Sequence, residues 1–158
     1  MFNIGDKVVY PMHGAGVIEG IEEREISGAK ISYYIIKLPL GDMRAMVPLD
    51  QAENIGLRQV AAGEELRKVL EEMKSSTVIV TDNWNHRYRN NMEKIRSGSI
   101  HDIVEVVHTL TVRNRQKGLS TGEKKMFENA RKLLISELVL SQNIEENQAL
   151  EILESYLC

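Results

Sequence analysis

The chain has little of several features that often stabilise or localise small proteins. Among its 158 residues there is one cysteine, Cys158, so an intramolecular disulfide is excluded and a cysteine-based zinc site is not expected. No apolar run approaches the roughly 20 residues of a membrane span, and residues 1–6 lack the cationic and apolar regions of a secretion signal. We therefore expect a cytoplasmic protein whose core forms without disulfide bonds or a membrane.

The sequence also lacks recognisable catalytic motifs. Gly14, Gly16 and Gly20 have the wrong spacing for a dinucleotide-binding loop, and no Walker-type lysine, zinc-protease or serine-hydrolase motif is present. His101 and His108 share a predicted helical face but lie seven residues apart, too far to chelate one ion without a third ligand. We predict no enzyme activity, no cofactor, no metal ion and no small-molecule substrate.

Charged residues are distributed unevenly along the chain. The formal net charge is −3, yet residues 84–133 contain eleven Lys or Arg against five Asp or Glu, which gives +6. The flanking segments, 1–83 and 134–158, carry −4 and −5. This basic block predicts either one cationic face suited to nucleic acid or a pair of solvated amphipathic helices. Charge counting alone leaves both interpretations open.

Residues 1–58 have the pattern of a small β-domain. Short runs of β-branched and aromatic residues, of which 31–38 is the most pronounced, alternate with turn-forming segments that contain Gly, Pro and Asp. Residues 17–21 are another such run, and Ser27, Gly28 and Ala29, just before 31–38, resemble a hairpin tip. We expect four or five strands in a bent barrel of the SH3 or Tudor kind, because an open sheet this small would leave its edges exposed.

Beyond this segment the apolar residues take the 3.6-residue period of amphipathic helices. The spacing predicts about five helices, over 64–73, from Trp84 to about Arg96, from Ser99 towards Gly118, from Ser120 to about Ser141, and over about 145–157. Ser99 and Ser120 each have an acidic residue three positions later, the spacing of a helix-capping box. The chain is therefore predicted to be α+β, with a β-domain at 1–58 and a compact all-α bundle at 59–158.

Trp84, the single tryptophan, is predicted at a helix N-terminus among amides and cations. An indole there either packs back onto the helix as a hydrophobic staple or projects outward, and large aromatic residues are often buried. Arg87 and Arg89 follow closely. A flat apolar ring flanked by cations is typical of side chains that insert between bases while their neighbours hold phosphates. These neighbours favour projection of Trp84.

Several separate motifs resemble those of the CarD/CdnL family of bacterial transcription regulators. They occur in the family's order at residues 5–11, 13–14, 41–42, 47–48, 83–84, 87–88 and 118–124. The resemblance covers essentially the whole chain. It implies an N-terminal Tudor-like domain, also found in transcription-repair coupling factors, that binds the β subunit of RNA polymerase. It further implies a helical domain that contacts promoter DNA and stabilises the open complex.

The resemblance also implies roles for individual residues. Trp84 would be a wedge in the minor groove at the upstream edge of the melted DNA. The positions that match the family's DNA-facing surface are Trp84, Arg87, Arg89, Arg113 and Lys124. Arg24 would belong to the polymerase-binding surface. Met46 stands where the family has a second basic polymerase contact, and Arg44 lies two residues away on the same strand face.

Three functions follow as alternatives. The first is a monomeric regulator bound to polymerase, whose own DNA affinity is weak, about 10⁻⁴ to 10⁻⁶ M, but is raised by anchoring through the first domain. The second is a protein-only adaptor that docks one protein on the barrel and another on an exposed Trp84 patch. The third is an undetected enzyme. Arg113 and Lys124 also fit solvated helix ends without a binding role.

Overall fold

The structure is a computed structural model that describes residues 1–39, 41–78 and 81–157. Within these ranges an antiparallel β-domain is followed by a bundle of helices. The predicted class, α+β with a small SH3- or Tudor-like domain ahead of an all-α bundle, is therefore confirmed.

Five antiparallel strands form the N-terminal sheet. They are β1 (Lys7–Tyr10), β2 (Gly14–Ile26), β3 (Ala29–Leu38), β4 (Met43–Pro48) and β5 (Arg58–Gln59). Their order across the sheet is β4-β3-β2-β1-β5, so the first four strands follow one another and the last returns to pair with β1. A 3₁₀ turn (Leu49–Gln51) and helix α1 (Ala52–Ile55) lead to β5. The sequence pattern predicts neither β5 nor α1, because such short elements show no period.

The hairpin of β2 and β3 is longer than the sequence predicts. Its ladder has a bulge near Gly20 and continues to a tip at Ser27 and Gly28, whose φ angles of 51° and 81° suit a two-residue hairpin turn. Residues 22–26 of β2 are exposed and mostly charged. The hydrophobic pattern therefore ends before the strand does.

One face of the sheet covers the core of the β-domain. The buried side chains that form this core are Val8, Ile18, Tyr34, Ile36, Leu38, Val47, Ala52 and Leu57. Successive strand residues point to opposite faces, so the alternate residues of β3 line the outer face of the sheet. This outer face is available for contact with a partner.

Five further helices form the bundle, in agreement with the prediction. They are α2 (Gly63–Ser75), α3 (Trp84–Ser97), α4 (Ile100–Gln116), α5 (Thr121–Gln142) and α6 (Glu146–Leu157). The predicted apolar stripes supply the core, with Leu66, Leu110, Leu134 and Leu153 fully buried. Helix α5 is central, since it packs against α2, α3, α4, α6 and β2.

The two predicted capping boxes have different outcomes. Ser120 accepts the backbone N–H of Glu123 at 3.2 Å and caps α5. Ser99 makes no side-chain cap on α4, so that part of the prediction is wrong. Instead, the hydroxyl of Ser97 accepts the N–H of Ser99 at 3.2 Å and donates to the carboxylate of Asp102 at 2.7 Å, so it bonds both groups that a capping box would have paired with each other.

None of the helices within the described ranges has the length and apolar character that a membrane crossing requires. The same residues contain no group of three His, Cys, Asp or Glu side chains arranged to hold a metal ion. His101 and His108 both line a groove between α2, α3 and α4. Desolvation there lowers the pKa of His108, and the charge of Arg115 lowers it further.

Candidate functional site

Trp84 is the first residue of α3, as predicted. Asn83 caps this helix by accepting the backbone N–H of His86 at 3.1 Å. The Trp84 side chain is 42% exposed, which is high for a large aromatic residue. The indole is therefore not a buried staple, and part of its surface faces solvent.

Three contacts from the protein hold the indole in place. Its ring stacks on Tyr88, with centroids 4.9 Å apart and planes inclined by 19°. Its Nε1 donates to the Oγ of Ser120 at 2.9 Å. Its edge lies near Gly122, where an added Cβ would stand 3.8 Å from Cζ2. A side chain fixed in this way loses little conformational freedom when a partner binds its exposed part.

The hydroxyl of Ser120 connects the indole to a buried ion pair. It accepts from Trp84 and from the backbone N–H of Glu123, and it donates to Oε1 of Glu123 at 3.1 Å. One donor and two acceptor sites are the full capacity of a serine hydroxyl. Ser120 therefore links the position of Trp84 directly to the start of α5.

Arg87, which the resemblance places on the DNA-facing surface, lies in the interior. Its side chain is 5% exposed, and that of Glu123 is 1% exposed. Nε and Nη2 donate to the two carboxylate oxygens of Glu123 at 2.6 and 3.0 Å, and Nη1 donates to the carbonyl of Thr81 at 2.8 Å. Each of its three nitrogens is bonded inside the protein, so Arg87 joins α3 to α5 and is buried away from any surface that a phosphate could reach.

The same ion pair shifts the pKa values of both residues. Hydrogen bonding to Arg87 lowers the pKa of Glu123 despite the opposing effect of burial. Hydrogen bonding to Glu123 raises the pKa of Arg87. The pair therefore stays charged at neutral pH.

Arg113 holds the segment that leads into α3. Its side chain is 14% exposed, and Nη1 donates to Oδ1 of Asp82 at 3.1 Å. Lys117 donates to the same oxygen at 2.7 Å. Hydrogen bonds from Lys117 and Arg113 lower the pKa of Asp82. The two cations thus tie residues 81–83 to the end of α4.

Other basic residues near Trp84 form no ion pair with any described residue. They are Arg89, Arg96, Lys124, Lys125 and Lys132. Tyr88 and Met92 border two adjacent grooves. Trp84, Arg89 and Arg96 line the first groove, and Lys125 and Lys132 line the second. We call these seven residues the Trp84 face.

The Trp84 face is cationic but not uniformly so. One carboxylate lines each groove, Glu93 beside the two arginines and Glu128 beside the two lysines. Lys124 is exposed in the first turn of α5 and follows directly on Glu123. Of the predicted DNA-facing residues, the structure therefore brings Trp84 and Arg89 together on the surface, with Lys124 nearby.

The predicted polymerase-binding residues share the outer face of the sheet. Arg24 is paired in the ladder with Ile31, Arg44 with Lys37, and Met46 with Ile35. Their β3 partners alternate along one strand, so all of these side chains lie on one face. Ile31 and Lys37 are six residues apart, which separates the two arginines by about 20 Å.

Both arginines on this face have local carboxylate partners. Arg44 binds Glu19 with two hydrogen bonds of 2.7 and 3.1 Å, and Arg24 lies 3.2 Å from Glu22. Hydrogen bonding to Arg44 lowers the pKa of Glu19. The pairs are exposed, and exposed ion pairs contribute little to stability, so a partner's carboxylates can replace these contacts at small cost.

Comparisons with known proteins cover both domains. The family model "CarD, C-terminal domain" matches residues 68–154, and the model "CarD-like/TRCF RID domain" matches residues 2–61. YdeB of Bacillus subtilis (strain 168), named as a candidate transcription factor, is 38% identical over 151 residues, which are 94% of this chain and 97% of YdeB. The chain belongs to the CarD family. It is thus a member of a transcription-factor family with an RNA polymerase-interacting domain.

Two solved structures from Myxococcus xanthus are similar to the N-terminal part of this CarD-family chain. One is the solution NMR structure of the 72-residue N-terminal domain of CarD, 29% identical, covering 37% of this chain and 79% of that domain, with a TM-score of 0.33. The other is CdnLNt, 36% identical, covering 38% of this chain and 84% of its own, with a TM-score of 0.33.

The sequence pattern does not identify some residues of the Trp84 face as surface residues. Tyr88 and Met92 follow Trp84 at four-residue spacing and are predicted as core, but both are only half-buried. Lys125 and Lys132 on α5 are seven residues apart, as are Arg89 and Arg96 on α3. Seven-residue spacing places each pair on one helical face, so this periodicity is the signal that could have identified them.

Replacing Ser120 with alanine removes both the cap of α5 and the acceptor for Trp84. We expect the free energy of unfolding to fall by about 1–2 kcal/mol, as for other lost helix caps. We also expect the fluorescence emission of Trp84 to shift to longer wavelength, because the released indole is more solvated. Ser155→Ala is the matched control, since the Ser155 hydroxyl bonds only within α6, to the carbonyl of Ile152. Unchanged emission from Ser120→Ala would show that Ser120 does not position the indole.

Proposed function

We propose that this CarD-family protein binds the β subunit of RNA polymerase through its sheet and promoter DNA through its Trp84 face, and thereby stabilises the promoter open complex. It acts in the cytoplasm as a monomer and needs no catalysis. The observation that carries the proposal is Trp84 itself, an exposed indole fixed by Tyr88 and Ser120 on a surface whose two adjacent grooves each contain two cations.

The composition of the Trp84 face suits the minor groove of DNA. An apolar ring can insert between base steps, while Arg and Lys side chains contact the phosphates on both sides. Arg89 and Arg96 lie on one side of the Trp84–Tyr88–Met92 stripe, and the α5 lysines lie on the other. This arrangement supports a contact in which Trp84 enters the groove and the cations hold the two backbones.

To stabilise the open complex, the protein must bind the melted DNA more tightly than the closed duplex. A ligand shifts an equilibrium only by its differential affinity for them. The flat, fixed indole of Trp84 packs better against a base step that is already unstacked, as at the upstream edge of melted DNA, than against intact duplex. The protein therefore lengthens the life of a state that the polymerase itself creates.

The outer face of the sheet supports the polymerase contact. Ile31, Tyr33 and Ile35 of β3, with Met46 of β4, form an apolar strip between Arg24 and Arg44. Apolar centres with charged rims are typical of protein interfaces. Met46 pairs with Ile35 and adds apolar area next to Arg44, whereas Arg24 and Arg44 provide charges at the two ends of the strip.

The adaptor alternative uses the same exposed indole to dock a second protein. The four cations of the Trp84 face favour DNA instead, because a protein-only interface has no need of positive charge in both of its grooves. The two alternatives are distinguished by variants that remove the charge and leave the ring.

Replacing Lys125 and Lys132 with glutamine tests the DNA contact. A short duplex is titrated with the full chain at several salt concentrations, and the fluorescence of Trp84 reports binding at the proposed site. Each lost phosphate contact lowers the salt slope by about one, so the double variant should bind more weakly and show a slope lower by about two.

The control for this experiment is Lys68→Gln with Lys74→Gln, which removes equal charge from α2, outside the Trp84 face. It should leave the salt slope nearly unchanged. Equal losses from both double variants would indicate non-specific attraction to net charge. If neither variant changes DNA binding while regulation of transcription persists in both, the adaptor is the better explanation.

A further inference from the structure

The β-domain and the bundle are joined by a polar cluster that neither binding surface uses. At its centre is Arg58 on β5. Nη1 and Nη2 donate to the two carboxylate oxygens of Glu137 on α5 at 2.8 and 2.7 Å. Nε donates to the carbonyl of Gly98 at 2.8 Å. Arg58 therefore holds two elements of the bundle from one position on the sheet.

The cluster continues through backbone groups on both sides. Glu137, whose side chain is 3% exposed, also accepts the N–H of Ala61 at 2.8 Å. Ser136 accepts the N–H of Ala15 at 2.9 Å, and Lys7 donates to the carbonyl of Leu140 at 2.9 Å. These bonds join the last two turns of α5 to β1, β2 and the segment after β5.

The junction is also closely packed. A Cβ added to Gly98 would lie 2.8 Å from Cγ of Pro11, and one added to Gly14 would lie 3.1 Å from Oγ of Ser136. Both glycines have φ angles in the left-handed region, 72° and 112°. Only three residues separate β5 from α2. The domains are therefore docked against each other and not joined by a free linker.

The two elements that Arg58 holds are the ones that carry Trp84. Gly98 ends α3, and Trp84 begins it 14 residues earlier, a helix length of about 20 Å. Glu137 is near the end of α5, and Ser120, which binds the indole, caps the start of that helix about 25 Å away. At the Trp84 end the helices are joined by the Arg87–Glu123 ion pair.

We propose that Arg58 is a positioning residue that fixes Trp84 relative to the outer face of the sheet. We call Arg58, α3, α5 and the Arg87–Glu123 pair the frame. The frame is closed at both ends, at Arg58 and at Arg87–Glu123, so rotation of the sheet against the bundle must break at least one hydrogen-bonded contact. This inference rests on the proposed function, in that the two surfaces act together on one polymerase–promoter complex.

Arg58→Lys tests the frame with a small change. Lysine keeps the charge but lacks the planar fork that serves Glu137 and Gly98 at once. Spin labels at Lys37→Cys on the sheet and Asn85→Cys beside Trp84, in a Cys158→Ser chain, report the distance between the surfaces. We expect one narrow distance distribution for the native frame and a broadened one for Arg58→Lys.

Unlabelled Arg58→Lys should lose most of the extension of open-complex lifetime while still binding polymerase.

Two further variants keep the test decisive. Arg67→Lys is the matched control, since Arg67 is exposed on α2 and should behave as native. Ser136→Ala removes the bond to Ala15 without changing charge, and it should broaden the distances even if Arg58→Lys fails to fold. A narrow distribution in folded Arg58→Lys, or in Ser136→Ala where Arg58→Lys does not fold, would overturn the proposal. A broad distribution with full lifetime extension would overturn it as well. If the native chain gives no extension, the proposed function fails, whereas the distances alone still decide whether Arg58 holds the domains.

Discussion

Trp84→Ala should remove most of the extension of open-complex lifetime while leaving polymerase binding intact. Stacking of a base on an aromatic side chain contributes about 1–3 kcal/mol, which corresponds to about 5- to 150-fold in lifetime. The side chain is 42% exposed and lies far from the sheet surface, so its loss should not disturb the fold of the β-domain. The measurement is the decay of polymerase–promoter complexes after a competitor challenge, with no protein, the native chain and the variant.

Two controls separate the ring from its hydrogen bond. Trp84→Phe keeps a flat apolar ring and loses the Nε1 donor to Ser120, so it should retain part of the extension. Tyr156→Ala removes a half-buried aromatic residue from α6, outside the Trp84 face, and should keep the native lifetime. If Trp84→Ala extends the lifetime as much as the native chain does, regulation must come through the sheet or the cations alone.

Arg87→Met should strongly destabilise the helical bundle. It leaves the carboxylate of Glu123 buried without its partner, and breaking a buried ion pair on one side typically costs about 3–5 kcal/mol. Denaturant unfolding followed by Trp84 fluorescence measures the loss. Arg87→Met with Glu123→Leu should cost less than the sum of the two single variants, because the double variant leaves no unpaired charge.

The cost of Arg87→Met should also depend on pH. Because the pKa of Glu123 is lowered in the folded protein, the pair stabilises the fold above the ordinary carboxyl pKa of 4.5 and loses this contribution as pH falls through the lower folded value. The difference in free energy of unfolding between native and variant should therefore shrink in acid. Lys117→Met is the control, since its pair with the exposed Asp82 should matter little. A difference that is small at neutral pH and constant with pH would contradict the role of the pair.

The fold class and the helices follow from the sequence because local patterns specify them. The apolar period of α2 to α6 places each helix within a few residues, and Ser120 caps α5 as its spacing predicts. Where the local pattern misleads, a nearby group competes. The capping box between Ser99 and Asp102 does not form because the Ser97 hydroxyl bonds both the Ser99 N–H and the Asp102 carboxylate.

The site is less predictable because it depends on contacts that are distant in the chain. The position of Trp84 follows from the helix start predicted there, and its exposure is favoured by the cations beside it in the sequence. The inward turn of Arg87 does not follow from the sequence, since its partner Glu123 lies 36 residues away and has the appearance of an ordinary capping-box acid. Arg58 likewise gives no signal in the sequence, because β5 is two residues long and Glu137 is 79 residues away.

The closed frame holds Trp84 at a fixed distance from the outer face of the sheet. A flexible tether would deliver Trp84 to any DNA within reach, and its effect would be an average over many geometries. Under the proposed function, a fixed separation suits only a complex in which the polymerase contact and a distorted base step stand at the distance that α3 and α5 set. The protein would then respond to the shape of an assembly and not to the order of bases, and it would not engage complexes whose DNA has not yet moved into place.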